Sequence, residues 1–524
     1  MDVDASRKWQ EAEQLSAGGE DAQARALYAE LVGDPAIAPY AHLRLAVADQ
    51  RAGNVRGAVA HALEAFRKAQ ADSTLLEMLC KLLLRLGETH AALACANALP
   101  AAQPTPGALA EVGKMLSDHM LPDAALPLLQ RAMAAGMAGA PAMQYLLGLN
   151  QMYAGDLEAA ERALEASVRG NPELAPAHWA LAKLGVEDGR GARINRLKRL
   201  VAGAAGQGAE AALLWYSLFH ELDRDGEPAQ AWEALDTAMR LRRAQLRYDE
   251  AAQDALFEAA AQALKHPREE TRLEPAGPMP VFIVGLPRSG TTVIERALCA
   301  QTDVASAGEL RDLATQMRWV TQRAGSFNVD AGLLQAMAAL PAGLLGERYL
   351  EHTRWRAHGQ AFYADKWPEN YLAIGHILAS LPDARIVCVR RAPADACFSN
   401  LKEWFAASYP YSYAQEEVAR QYARYDRFLQ QVREVANPRV AFVEYEAFAR
   451  QPEAAIAGLK LLLDLPDRSM SAARESVPTA SAVQVRESVS TRHVGAWRRY
   501  AQRLAPMLDE LARCGYPQEV EARA

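Results

Sequence analysis

The sequence is poor in cysteine, in long apolar runs and in basic excess. Its six cysteines, Cys80, Cys95, Cys299, Cys388, Cys397 and Cys514, are scattered through 524 residues, and no two have CxxC spacing. That pattern implies neither a zinc site nor a disulfide framework, and no metal is expected. The cysteines read instead as small buried hydrophobes. No run of 18 apolar residues occurs, so no membrane span is expected. The start, Met1-Asp2-Val3-Asp4, lacks the basic residues and apolar stretch of a signal peptide, which makes a reducing cytoplasm the expected setting. Lys and Arg number 57 against 64 Asp and Glu, a formal net charge of -7 that gives no support to nucleic-acid binding. A polyanionic ligand would have to be held by local positive groups.

What the chain does have is repetition. Turn glycines stand at Gly19, Gly53, Gly87, Gly155 and Gly189, in steps of 34, 34, 68 and 34 residues. The missing member falls at Met120–Pro122, where Pro122 supplies a turn. Five residues after a turn comes an alanine: Ala24, Ala58, Ala92 and Ala160, and Ala231 after Gly226. Seven further on stand Ala65, Leu99, Ser167 and Ala238. Small residues at fixed offsets let paired antiparallel helices approach closely, and each pair leaves an apolar face for the next pair to cover. The period resembles that of the tetratricopeptide repeat, although large aromatics are sparse. The resemblance predicts an all-α solenoid over residues 1–245 with a surface for a peptide or protein partner; a generic alanine-rich helical bundle is the other reading. The patch Arg193, Lys198, Arg199 reads as a solvated face.

Composition then changes. Pro267, Pro275 and Pro278 interrupt a linker that, with a preceding connecting helix, is expected over 246–277. The apolar run Val281-Phe282-Ile283-Val284 reads as a buried parallel strand. It ends in Gly285-Leu286-Pro287-Arg288-Ser289-Gly290-Thr291-Thr292, followed by a helical pattern. Strand, glycine loop and helix form a P-loop-like anion cradle, with backbone N–H groups and the helix start facing a phosphate. An ATPase loop has lysine after its second glycine; here that position is Thr291, and the positive charge is Arg288.

Further along, Ala384–Arg390 reads as a second buried strand, running into Arg391 with Ser399 eight residues on. An arginine fork and a hydroxyl can share a phosphate. Because Arg390 precedes Arg391, an offset of one residue is open. Asp365-Lys366-Trp367-Pro368-Glu369-Asn370, Gly308-Glu309-Leu310, Val443-Glu444-Tyr445 and the 477–500 block around Ser481 and Trp497 complete the set.

Taken in order, these motifs resemble the tetratricopeptide-repeat sulfotransferases, which use 3′-phosphoadenosine-5′-phosphosulfate (PAPS) and are similar to tyrosylprotein sulfotransferases. The resemblance implies a multidomain chain, with an α/β P-loop sulfotransferase domain carrying a parallel sheet over 278–524. It implies that Arg288, Ser289, Gly290, Thr291 and Thr292 hold the 5′-phosphosulfate. Arg391 and Ser399 would hold the 3′-phosphate, and Tyr445 and Ser481 would contact the donor. Ala392 stands where the family usually has Asp, and Arg492 is a further 3′-phosphate candidate. Glu309 would be the general base and Lys366 the group that steadies transferring charge, with His376 and His493 as the next candidates for base. The acceptor hydroxyl would belong to a peptide tyrosine or a carbohydrate, selected or delivered by the repeats. A P-loop small-molecule kinase and a catalytically silent repeat scaffold are the alternative functions.

Overall fold

The computed structural model describes residues 3–69, 72–203, 208, 210–265, 277–467 and 490–517. In the helical part the turn positions follow the 34-residue period. Gly19, Gly53, Gly87, Gly155, Gly189 and Gly226 take φ values from 72° to 91°. Met120, where the glycine series is interrupted, takes φ 61°. The left-handed turn is thus kept where a side chain must bear its steric cost. Ala24, Ala58, Ala92, Ala160 and Ala231 are at most 2% exposed, and Ala125, five residues after Met120, is fully buried with them. Asn54, Asp72, Thr105 and Asp156 cap the helices that follow, their side chains accepting the N–H groups of Gly57, Leu75, Ala108 and Ala159.

The expected solvated patch is corrected at one position. Lys198 and Arg199 are exposed, but Arg193 is buried and donates to Glu221 Oε1 at 2.8 Å and to the Asp188 carbonyl oxygen at 2.7 Å. Its position on the helix Arg190–Ala202 turns it inward with Ile194 and Leu197.

The chain forms two compact units, and neither is contiguous in sequence. One comprises 1–139 with 311–353, the other 140–310 with 354–524. They run across the division expected at 245, since the repeat helices from 140 onward fall in the unit that holds the sheet. Periodicity records that each helix pair has an apolar face, but not what covers it.

In the first unit the helices Asp312–Thr321 and Ala342–Thr353 lie on the repeats. The Trp319 ring is flanked by the guanidinium groups of Arg56 at 4.7 Å and Arg348 at 4.4 Å. Arg348 also donates to Glu88 Oε1 at 2.5 Å, and His352 Nε2 lies 3.1 Å from Glu88 Oε2. Burial alone would lower the His352 imidazole, but the Glu88 hydrogen bond and charge outweigh it and the net shift is upward. The Glu88 carboxyl is pushed up by burial and more than compensated by His352 and Arg348, so it ends below its usual range. A raised histidine stabilises fully below its unfolded value of about 6.5 and loses this as pH rises through its folded value. A depressed carboxyl stabilises above its unfolded value and loses this on acidification. His352→Asn should therefore lower the melting temperature more at pH 6 than at pH 8, with about 1 kcal/mol at stake. Equal losses at both pH values would exclude a charged His352–Glu88 contact.

The second unit is built on five parallel strands: β1 (Met279–Gly285), β2 (Val304–Ser306), β3 (Phe362–Asp365), β4 (Arg385–Arg390) and β5 (Val440–Glu444). Their order is β2-β3-β1-β4-β5, which places β1 at the centre. Every residue of β1 is buried, as expected for a strand covered on both faces. Val281 and Ile283 of β1 pack with Val387 and Val389 of β4 and with Ile294 and Leu298 of the helix Thr291–Gln301. All five strands point the same way, so their carboxyl ends share one edge of the sheet, where open parallel sheets bind ligands.

Candidate active site

Each strand ends in one of the residues singled out from the sequence. β1 ends at Gly285, where a Cβ would stand 2.9 Å from the Val389 carbonyl oxygen of β4, so glycine is required for the close approach. Arg288 and Gly290 both take positive φ, 68° and 99°, and curl the loop. The loop helix Thr291–Gln301 begins at once, with the Gly290 carbonyl accepting from the amides of Val293 and Ile294 at 3.1 and 3.2 Å. Alternating backbone conformations of this kind turn successive N–H groups to one side and make an anion-binding concavity. Ser289, Thr291 and Thr292 are buried in it. The Ser289 hydroxyl is buried with no hydrogen-bond partner among the described residues.

β4 delivers two consecutive arginines to different places. Arg390 is held by Asp426 Oδ1 at 2.5 Å and Glu444 Oε2 at 3.2 Å. Arg391 turns to the loop instead: Nη1 donates to the Arg288 carbonyl oxygen at 3.1 Å and Nη2 to that of His493 at 2.8 Å. Its buried Nε has no hydrogen-bond partner among the described residues. Of the two consecutive arginines, Arg391 is thus the one whose side chain faces the loop. Its guanidinium lies 4.8 Å from the Tyr445 ring centroid, at the end of β5. The same ring occupies the space a Cβ on Gly290 would need. Loop, Arg391 and Tyr445 are therefore one packed cluster. Ser399 is buried in the following helix, Pro393–Leu401, and Asn400 of that helix donates to the Pro287 carbonyl oxygen at 2.7 Å.

β2 and β3 bring the other pair together. Lys366 is 1% exposed, and its Nζ lies 2.5 Å from Glu309 Oε1. The Lys366 amide donates to the Gly308 carbonyl oxygen at 2.9 Å, tying the two strand ends. Asp365 folds the turn around the lysine, accepting the Trp367 amide at 3.0 Å and the Asn370 side chain at 3.1 Å. The flanking Asp and Asn of this motif thus have a positioning use.

Two carboxyls here went unmarked in the sequence. Glu295, on the loop helix, is 2% exposed and accepts the Ser306 hydroxyl at 2.7 Å. Burial raises its pKa and Glu309 adds to the rise, while the Lys366 charge opposes it. Its place four residues after Thr291, on the inner side of the loop helix, was the available signal. Glu369 occupies an unassigned position of the Asp365–Asn370 motif. Burial pushes its carboxyl up to about 7, partly offset by a hydrogen bond with Tyr409.

Of the reserve candidates, His376 is buried in the helix Ile374–Ser380. His493 belongs with the arginines: burial and then the charges of Lys402, Arg492, Arg391 and Arg288 push its imidazole down to about 4. Ser481 lies outside the described residues. Among the described residues no group of three or more His, Cys, Asp or Glu side chains could hold a metal ion. Among the described residues no helix is long and apolar enough to cross a membrane.

The domain is a parallel α/β fold with a glycine loop after its central strand, an arginine beside it and a carboxylate–lysine pair along the same edge, where open parallel sheets bind ligands. Residues 280–469 match the model of the sulfotransferase family. An uncharacterized protein of Aquifex aeolicus (strain VF5) is 24% identical over 381 residues, covering 68% of this chain and 48% of its own length. The chain thus spans about half the length of the curated relative it matches. A sulfotransferase from Mycobacterium tuberculosis superposes with a TM-score of 0.27 at 14% identity, covering 63% of this chain and 99% of that one. The C-terminal part of a tetratricopeptide-repeat protein from Cytophaga hutchinsonii gives 0.35 at 16% identity, covering 44% and 95%.

Proposed function

We propose that the chain transfers a sulfuryl group from PAPS to an acceptor hydroxyl. The observation that supports this best is that five parallel strands end, along one edge, in the phosphate loop, Glu309, Lys366, Arg391 and Tyr445. The loop amides, Arg288, Ser289, Thr291 and Thr292 take the 5′-phosphosulfate. Arg391 and Ser399 take the 3′-phosphate, and Tyr445 packs beside them. The buried Ser289 hydroxyl and Arg391 Nε fit this reading, because an anion would satisfy both.

In the reaction the acceptor oxygen attacks sulfur in line as the bond from sulfur to the 5′-phosphate oxygen breaks. Glu309 accepts the hydroxyl proton, and Lys366 stabilises the charge that develops on the transferring group and leaving oxygen. No metal takes part. The acceptor is a peptide tyrosine or a carbohydrate selected or delivered by the repeats, and the setting is a cytoplasm in which the six cysteines stay free.

Calorimetry with 3′-phosphoadenosine-5′-phosphate and AMP tests the donor. The 3′-phosphate should improve affinity about 10- to 100-fold, and Arg391→Ala should remove most of that gain. Equal affinity for the two nucleotides would overturn the 3′-phosphate assignment. Transfer of label from 35S-PAPS should persist in EDTA; its loss, with restoration by Mg2+, would favour a kinase.

A further inference from the structure

The second unit places a cation from the repeat helices next to the phosphate loop. Lys183 lies near the end of the helix Ala175–Leu184 and is 9% exposed. Its Nζ is 2.8 Å from Glu403 Oε2, and that same oxygen is 3.4 Å from Arg288 Nε in the loop. Glu403 is 2% exposed. Neighbouring repeat residues fix the turn that carries it. Tyr216 donates to the Leu401 carbonyl oxygen at 3.0 Å, and His220 Nε2 lies 2.9 Å from the Lys402 carbonyl oxygen. The Trp179 ring, 5.2 Å from the Lys183 ammonium, and the Tyr216 ring, against Trp404, close the sides.

One carboxylate is therefore shared by two cations. This matters because the loop Leu286–Gly290 has a single basic residue, Arg288. Were Glu403 to pair with Arg288 alone, a buried ion pair would neutralise the loop's own charge and orient its fork away from an incoming anion. With Lys183 also on Glu403, the three groups carry one surplus positive charge, left for the ligand.

We infer that Lys183 is a positioning residue for the donor: it holds Glu403 so that Arg288 remains available to the 5′-phosphosulfate. The repeats from 140 onward are then part of the donor site as well as a surface for partners. The inference rests on the donor reading above. Burial presses first on the ammonium groups of this cluster, and brings that of Lys183 down to about 8 against the pull of Glu403. Burial, together with the charges of Arg288, Arg391 and Lys183, brings the Lys402 ammonium down to about 8 against the pull of Asp223.

Calorimetry of 3′-phosphoadenosine-5′-phosphate binding to the full-length chain tests this with four variants. Lys183→Met should weaken binding about tenfold or more, and Lys183→Arg should stay within about threefold of wild type. The pair Lys183→Met with Glu403→Gln should recover to within about threefold, because the carboxylate that captures Arg288 is gone. Glu403→Gln alone should bind at least as tightly as wild type. A side chain needed only for packing would give no such recovery. Wild-type affinity in a folded Lys183→Met, or a double variant as weak as the single, would overturn the inference and leave the donor reading standing. If Lys183→Met melts early, Glu403→Gln decides alone: weaker binding than wild type overturns it. A wild-type chain that binds no nucleotide refutes the donor reading and this inference with it.

Discussion

Glu309→Gln should lower kcat by about 10²–10⁴ on the natural acceptor while leaving nucleotide affinity near wild type. The substitution is suited to the geometry. A glutamine oxygen can still accept from Lys366 Nζ, which lies 2.5 Å from Glu309 Oε1, so the strand ends stay in place and only the proton acceptor is removed. Single-turnover kinetics with saturating donor isolates the step, since slow product release would otherwise mask a change in chemistry. A wild-type rate would move the base elsewhere. Glu369 is then the next residue to test, since burial already raises its carboxyl to about 7, near the pH at which a general base works best. His493 falls behind it, because burial and then the neighbouring cations hold its imidazole down to about 4.

Lys366→Met should lower kcat by about 10²–10³, because charge developing in the transition state loses a preorganised partner. It should also lower the melting temperature. Lys366 is 1% exposed and lies among Glu295 and Glu309, so its removal leaves buried carboxyls facing each other without a cation. The two effects separate by pH. Protonating the buried Glu295, whose carboxyl burial already raises, should recover part of the melting temperature on mild acidification, while kcat measured at neutral pH stays low. A variant that raises only KM, with kcat intact, would make Lys366 a ground-state binding group.

Much of this site was legible because its signals are local. The loop is an unbroken run from Gly285 to Thr292 and can be read off whole, although what its glycines avoid, the Val389 carbonyl oxygen of β4 and the Tyr445 ring after β5, lies far along the chain. The repeat turns were legible for the same reason, and Met120 shows the limit: the conformation persists where its usual residue does not. Arg390 and Arg391 could not be told apart in sequence, because their difference is made by Asp426 and Glu444 on one side and by Arg288 and His493 on the other. Lys183 and Glu403 were invisible for the same reason, being 220 residues apart. Arg193 was misread because a charge pattern does not reveal that Glu221 awaits it on another helix.

The interleaving of the two units bears on how the chain is made. The first 139 residues leave the ribosome with Glu88 and Arg56 exposed, and the segment that covers them, 311–353, is synthesised only after the loop and β1 have emerged. During that interval the early helices carry an unfinished surface, a state in which chains are prone to aggregate or to recruit chaperones. The excursion also begins just after Glu309 and ends shortly before Lys366. A nascent chain stalled between those points holds the loop and Glu309 but lacks Lys366, Arg391 and Tyr445, so the cluster at the strand ends is assembled only after the excursion has been made.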